Sequence, residues 1–276
     1  IEIFCFSRKS VFINIGDEGA ARQVFKLIRT YMKSSHSIPY FGREPIAQIQ
    51  KFTLPSFNGW NLQAAWQRRK ISNFDYLMHL NTISGRSFSD LGQYPIFPWI
   101  IADYVSHKLD LKNPMVFRDL EWPMGAQTEK QRDILITRYR DLEDSFEDSE
   151  MPPFHHGSHY STMGFVLWYL MRMEPFTSLH IWLQDGKFDK PDRLCESVQK
   201  TWNSCSTNPS DVKELTPEWF TTPEMFLNTN QLDFGSTQGG TAINDIELPP
   251  WANSAYDFVA KNREALESEY VSQNLH

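Results

Sequence analysis

The chain has 276 residues, 41% of them hydrophobic and 14% aromatic (20 Phe, 10 Tyr, 9 Trp), and its 27 basic and 34 acidic residues leave a net charge of −7. This is ample for one large domain, or for one domain carrying a piece of another, and it excludes a disordered or low-complexity polypeptide. The acidic balance excludes binding to nucleic acid or anionic lipid by bulk charge. The longest strictly apolar run, 165–171, is far short of a membrane span.

The first residues alternate. Ile1, Ile3 and Cys5 precede a polar stretch at 7–10, and Val11, Ile13 and Ile15 resume the pattern, which predicts a β-hairpin. Asp17 caps a helix running to about Lys33, with Val24, Phe25, Leu27, Ile28, Tyr31 and Met32 on its apolar side. A hairpin and one helix cannot bury their own faces. Residues 1–33 are therefore expected to belong to a larger β-sandwich or barrel lying mostly upstream, and the chain to be an excerpt of something longer. Residues 34–59 read as a linker.

From Trp60 onward short helices alternate with Pro- and aromatic-rich segments. Ser72 with Asp75 predicts a helix start and Gly85 its stop, with Phe74, Leu77, Met78, Leu80 and Ile83 between them. In Tyr94-Pro-Ile-Phe-Pro-Trp-Ile-Ile, two prolines forbid both a helix and a central strand. The segment must be buried with few regular backbone hydrogen bonds, so side chains must supply partners. Asn81, Arg86, Ser87, Asp90 and Gln93 stand nearby. The same demand recurs at 113–126. Helices are predicted at 128–145, at 158–173 (apolar nearly all round), at 175–184, at 190–205 capped by Asp189, at 223–228 and at 254–275, with a small hairpin within 232–246.

The chemistry is sparse. His155, His156 and His159 are the candidate metal ligands, and a metal-dependent hydrolase built on them is the rival reading. Pro152, Pro153 and Gly157 break the helix that a shared face would need. Asp233-Phe-Gly stands without the other kinase elements, and the acids of 141–150 read as a solvated run. Arg68-Arg-Lys reads as a helix end. The 3 Cys cannot all pair, and Cys195 with Cys205 on one helix would lie about 15 Å apart, too far for a disulfide. With no leader visible, a reducing, cytosolic setting is expected. No cofactor motif is present.

The irregular stretches carry a strong resemblance. Trp66-Gln-Arg-Arg-Lys-Ile-Ser-Asn-Phe-Asp-Tyr-Leu, Gly85-Arg-Ser-Phe, Gln93-Tyr-Pro-Ile-Phe-Pro-Trp, Phe117-Arg-Asp-Leu and Pro123-Met-Gly-Ala-Gln come first. His156-Gly-Ser-His-Tyr-Ser, Arg172-Met-Glu-Pro-Phe-Thr, Phe188-Asp-Lys-Pro-Asp-Arg, Asp211-Val-Lys-Glu-Leu and Leu248-Pro-Pro-Trp-Ala follow in order. Together they resemble the BEACH domain family over about 60–276, nearest to the autophagy-linked FYVE protein and Spirrig type.

The resemblance implies a mainly α fold with extensive irregular core segments. It also implies that 1–33 is the end of a PH-like domain packing on the BEACH domain, and that WD40 repeats lie downstream. It brings no catalytic residues, metal or cofactor. It implies instead a non-catalytic scaffold binding other proteins in vesicle trafficking, lysosome or granule biogenesis and autophagy, cytoplasmic and peripheral to membranes. Asn73, Asn81, Arg86, Asp90, Arg118, Asp119, His159, Glu174, Asp192 and Arg193 are assigned to hydrogen bonding of irregular backbone in the core.

Overall fold

The computed structural model describes residues 2–4, 10–34, 62–145, 152–156 and 160–275. Two compact units form, 1–91 and 92–276. The described residues are mainly helical, with two short strands among them.

In the first unit, β1 (Glu2–Phe4) and β2 (Ser10–Phe12) pair antiparallel, Ile3 opposite Val11. The turn of the expected hairpin and the linker lie outside the described residues. Helix α1 (Glu18–Ser34) starts where Asp17 accepts the amide of Ala20 at 2.7 Å. Of its predicted apolar side, Val24 and Ile28 are half-buried and Leu27 is 70% exposed. Helices α2 (Leu62–Gln67) and α3 (Asn73–Ile83) are locked by Trp66, whose ring stacks on Tyr76 at 4.5 Å and whose indole N–H donates to Asn73 Oδ1 at 2.6 Å. Ser72 caps α3 through the Asp75 amide, and Gly85 follows its end with a φ of +78°, a conformation open to glycine.

The second unit is organised around 94–104. Tyr94, Phe97, Trp99, Ile100, Ile101 and Tyr104 are all at most 1% exposed, although no regular element holds them. Trp99 lies 5.1 Å from Trp219 and 5.5 Å from Trp202, and Trp219 meets Tyr169 at 5.3 Å and Phe226 at 5.2 Å. Around this aromatic centre pack α4 (Glu129–Ser145), α5 (Met163–Leu170), α6 (Phe176–Leu183), α7 (Val198–Thr207), α8 (Ala255–Leu266) and α9 (Glu269–Asn274). Phe258, Ala265, Leu266 and Val271 point inward as predicted, each fully buried.

Several predicted boundaries move. The helix expected at 158–173 is α5 alone, capped by Thr162; residues 157–159 lie outside the description. The helix expected at 190–205 splits. Pro191–Arg193 is a single 3-10 turn, and α7 begins only after Ser197, whose hydroxyl accepts the Lys200 amide. The chain at Leu194–Ser197 is instead held to the 244–247 segment by Arg172 and by the Val198 amide donating to Glu247. Cys195 thus precedes the helix that holds Cys205, and both thiols are free and buried. The closing helix breaks into α8 and α9 because Ser268 caps a new start by accepting the Val271 amide. The 223–228 helix is a 3-10 turn, Pro223–Phe226. The small hairpin is present as a bridge between Ser236 and Ala242 around a turn at Gly240.

Candidate functional site

The buried extended segment leaves backbone groups that helices and sheets do not serve. The Phe97 amide donates to the Leu215 carbonyl and the Phe97 carbonyl accepts the Leu215 amide, both at 2.8 Å. Trp99 then donates its amide to Glu214 Oε2 at 2.9 Å and its indole N–H to the Lys213 carbonyl at 2.9 Å. The Arg118 guanidinium grips both Glu214 oxygens at 2.8 and 2.9 Å and donates to the Trp122 carbonyl at 3.1 Å. Arg118 itself is joined to the segment through its amide on the Ile100 carbonyl. Burial pushes the Glu214 carboxyl above the ordinary range, and the guanidinium and the Trp99 amide pull it back. One ion pair therefore substitutes for missing sheet partners.

Two further buried cations complete the network. Lys213 lies under the rings of Trp168 at 4.6 Å and Phe165 at 5.4 Å and pairs with Asp211, which also accepts the Ser204 hydroxyl. Arg172 is fully buried, with two donors on the Asn244 carbonyl at 2.7 and 2.8 Å, one on the Cys195 carbonyl at 2.9 Å, and the Phe234 face 4.9 Å away. Buried Glu218 accepts the Tyr94 hydroxyl at 2.7 Å, and burial raises both pKa values.

Asn73, Asn81 and Arg118 are buried among the polar positions expected in the core, and Asn81 donates to the Leu77 carbonyl of its own helix. Arg86 is half-buried. Asp90, Asp119, Glu174, Asp192 and Arg193 are exposed, which corrects their placement in the core. The reason is local: Asp119 caps the turn at the Glu121 amide, Glu174 takes the Ser178 amide and Asp192 the Gln238 amide, all at the rim. For Arg193 it is the backbone carbonyl, accepting the Trp168 indole at 2.6 Å, that reaches inward. His159 lies outside the described residues. Glu214, Lys213 and Arg172 were missed as individuals. Their signals were an acid and a cation inside an alternating segment, and an arginine directly after the most apolar run.

Of the three candidate histidines, His155 and His156 lie among the described residues, and each has an aromatic neighbour. The His155 ring stacks on Tyr139 at 4.5 Å, and His156 Nε2 lies 3.0 Å from the Tyr160 hydroxyl. Among the described residues no three His, Cys, Asp or Glu side chains are grouped to hold a metal ion. Burial pushes the Cys195 thiol up to about 11 and the Cys205 thiol up to about 12, so neither is a nucleophile at neutral pH. In Asp233-Phe-Gly, the aspartate caps the Gly235 amide and Phe234 packs under Arg172.

The His156 ring explains Gly125. A Cβ there would stand 2.5 Å from His156 Cε1 and 3.2 Å from Val212 Cγ2. Gly125→Ala is expected to cost about 1–3 kcal/mol, read as the urea midpoint. Combining it with His156→Ala should cost less than the sum of the two single changes; strict additivity would show that the ring is not the obstacle.

His180 is 3% exposed with Nε2 unpartnered among the described residues, and burial holds its pKa below the ordinary value. His156 is depressed too, by burial and by the charges of His155 and Arg138. A base with a lowered folded pKa stabilises fully above its unfolded pKa, about 6.5, and that contribution is lost as pH falls. The urea midpoint is expected to drop between pH 7.5 and 5.5, less steeply in His180→Gln; an unchanged slope in that variant would exonerate His180.

The second unit is α-rich and is held by buried cations on irregular backbone, with Arg118, Glu214 and Arg172 turned to its own main chain. The sequence matches the Beige/BEACH domain family over residues 64–276, and the chain belongs to that family. It is 53% identical over 212 residues to BEACH domain-containing protein B of Arabidopsis thaliana (76% of this chain, 8% of that protein). It is 43% identical over 277 positions to a putative neurobeachin homolog of Caenorhabditis elegans (100% of this chain, 11% of that protein). It is 52% identical over 214 residues to protein SPIRRIG of Arabidopsis thaliana (76% and 6%). The chain therefore spans about a tenth or less of the relatives it matches.

Proposed function

We propose that this chain is the non-catalytic interaction core of a larger BEACH protein that scaffolds membrane and vesicle trafficking, lysosome or granule biogenesis, or autophagy. The supporting observation is the Arg118–Glu214–Trp99 unit, in which two charged residues of the family motifs serve the fold's own backbone. A cytoplasmic location, peripheral to intracellular membranes, is part of this proposal.

In this reading 1–33 is the end of a PH-like domain, 34–59 a linker and 60–276 the BEACH domain, with WD40 repeats downstream. The PH-like domain is the intramolecular partner, and trafficking or signalling proteins are the others.

The test is a thermal melt of the protein carrying the whole upstream domain, joined to a pull-down with and without changes in α1. A single transition and α1-dependent partners are expected; two independent transitions and indifferent partners would refute the shared seam. Elemental analysis of the same sample addresses the hydrolase alternative, which stoichiometric zinc or iron would favour.

A further inference from the structure

The imidazole of His180 ends a column of rings in the second unit. Its centroid lies 5.8 Å from that of Phe188, Phe188 lies 4.8 Å from Phe234, and the Arg172 guanidinium covers Phe234 at 4.9 Å. The two ends of the column differ. Arg172 is fixed by three donors on the Asn244 and Cys195 carbonyls. His180 is buried, and its Nε2 has no hydrogen-bond partner among the described residues. A neutral ring leaves one modest polar group unserved there, whereas an imidazolium would hold a charged N–H away from water and from any acceptor, a far larger penalty.

Phe188 reaches the column from a strap, residues 185–190, that doubles back after α6. The helix ends where the Gln184 amide donates to the His180 carbonyl at 3.1 Å and the Gly186 amide to the Ile181 carbonyl at 2.8 Å. Asp185 and Gly186 have φ of +56° and +89°, left-handed residues that turn the chain away from the helix end. Asp185, Gly186, Lys187 and Lys190 are exposed, and Phe188 is the strap's single apolar side chain. The charges facing His180 are few. Helix α6 carries no other acid or base, and α5 carries none but Tyr169. Glu174 is engaged by Ser178, Asp192 by the Gln238 amide and Asp233 by the Gly235 amide. Asp189 favours the imidazolium, but its carboxylate already accepts the Lys190 amide at 2.7 Å and lies 3.9 Å from Arg193. Burial outweighs that attraction.

We propose that the 185–190 strap is a proton-operated cover: when His180 takes up a proton, Phe188 leaves its place in the column and the imidazolium reaches water, while α5, α6 and the aromatic centre stay folded. Opening bares the Phe188 and Phe234 rings as an apolar patch. Arg172 keeps the far end of the column in place, so the strap can close again on the same partner ring when the proton leaves. This is a local event, distinct from the loss of overall stability on acidification, and it does not depend on the scaffold reading.

Hydrogen exchange of the 276-residue chain at pH 7.5 and 5.5, corrected for the intrinsic effect of pH on exchange, tests it. A histidine that titrates near 6.5 when the strap is open raises the opening constant by up to about tenfold between these values. The Gln184 and Gly186 amides are expected to exchange faster by up to that factor at pH 5.5. Their rates should not respond to about 1 M urea, because a local opening exposes little surface, while the α5 amides exchange far more slowly and do respond. His180→Gln should abolish the pH response, and Phe188→Ala should give fast exchange at both pH values. Strap amides that follow those of α5 in urea would overturn the proposal, since the strap would then open only with the whole unit. So would exchange unchanged by pH, a response that His180→Gln retains, or slow exchange in Phe188→Ala. Slower exchange at pH 5.5 would show that Asp189 clamps the imidazolium, and would overturn it as well.

Discussion

Arg118→Met is expected to destabilise the second unit by about 3–5 kcal/mol. The substitution leaves the Glu214 carboxylate beside an apolar side chain, and it removes one of the two donors to the Trp122 carbonyl. Equilibrium urea unfolding measures it directly. The informative comparison is the double variant Arg118→Met with Glu214→Leu. In many proteins, replacing both members of a buried pair with apolar residues restores stability. Here the Trp99 amide would still lose Glu214, whereas the Trp122 carbonyl keeps the Gln127 Nε2 donor at 2.9 Å. The orphaned amide costs about 1–3 kcal/mol, so the double variant should recover only part of the loss. Full recovery would mean that the pair merely neutralises itself and does not serve the backbone.

The second large effect falls on Arg172. Three guanidinium donors join the Asn244 and Cys195 carbonyls, tying two segments to the end of α5. Arg172→Met removes all three bonds and strands two carbonyls, an expected loss of about 3 kcal/mol or more, or roughly 6–12 °C in Tm for a unit of this size. Arg172→Lys should be nearly as severe. An ammonium cannot present the planar fork that reaches both carbonyls, and it resists dehydration more strongly. A lysine variant melting within about 2 °C of the wild type would show that charge alone matters at this position.

These residues mark where the sequence was legible and where it was not. The proline-broken stretch 94–101 had to be interior, since its apolar residues could join no helix or central strand, and it is. For Trp99 the partners lie far along the chain, at Glu214 and Lys213, and sequence proximity carries no information on a pairing 115 residues away. Asp119, Glu174 and Asp192 are expected to serve irregular backbone because they sit in the motifs of the family resemblance. They are rim caps, because a short carboxylate meets a nearby amide without entering the interior. The split of the 190–205 helix escaped for a related reason. Pro191 is a good first residue for a helix, but it opens a single turn here, and Ser197 restarts the chain.

The long-range closure of the aromatic segment has a consequence for biosynthesis. Phe97 and Trp99 find their hydrogen-bond partners at 213–215, and the Asp103 carbonyl finds its own only at Trp251. Translation at about 5–20 residues per second therefore leaves this greasy stretch without its native cover for about 6–30 s. Nascent chains of this kind hold a sticky surface outside the ribosome until the final third is made, so their yield depends on how well holdase chaperones occupy that interval.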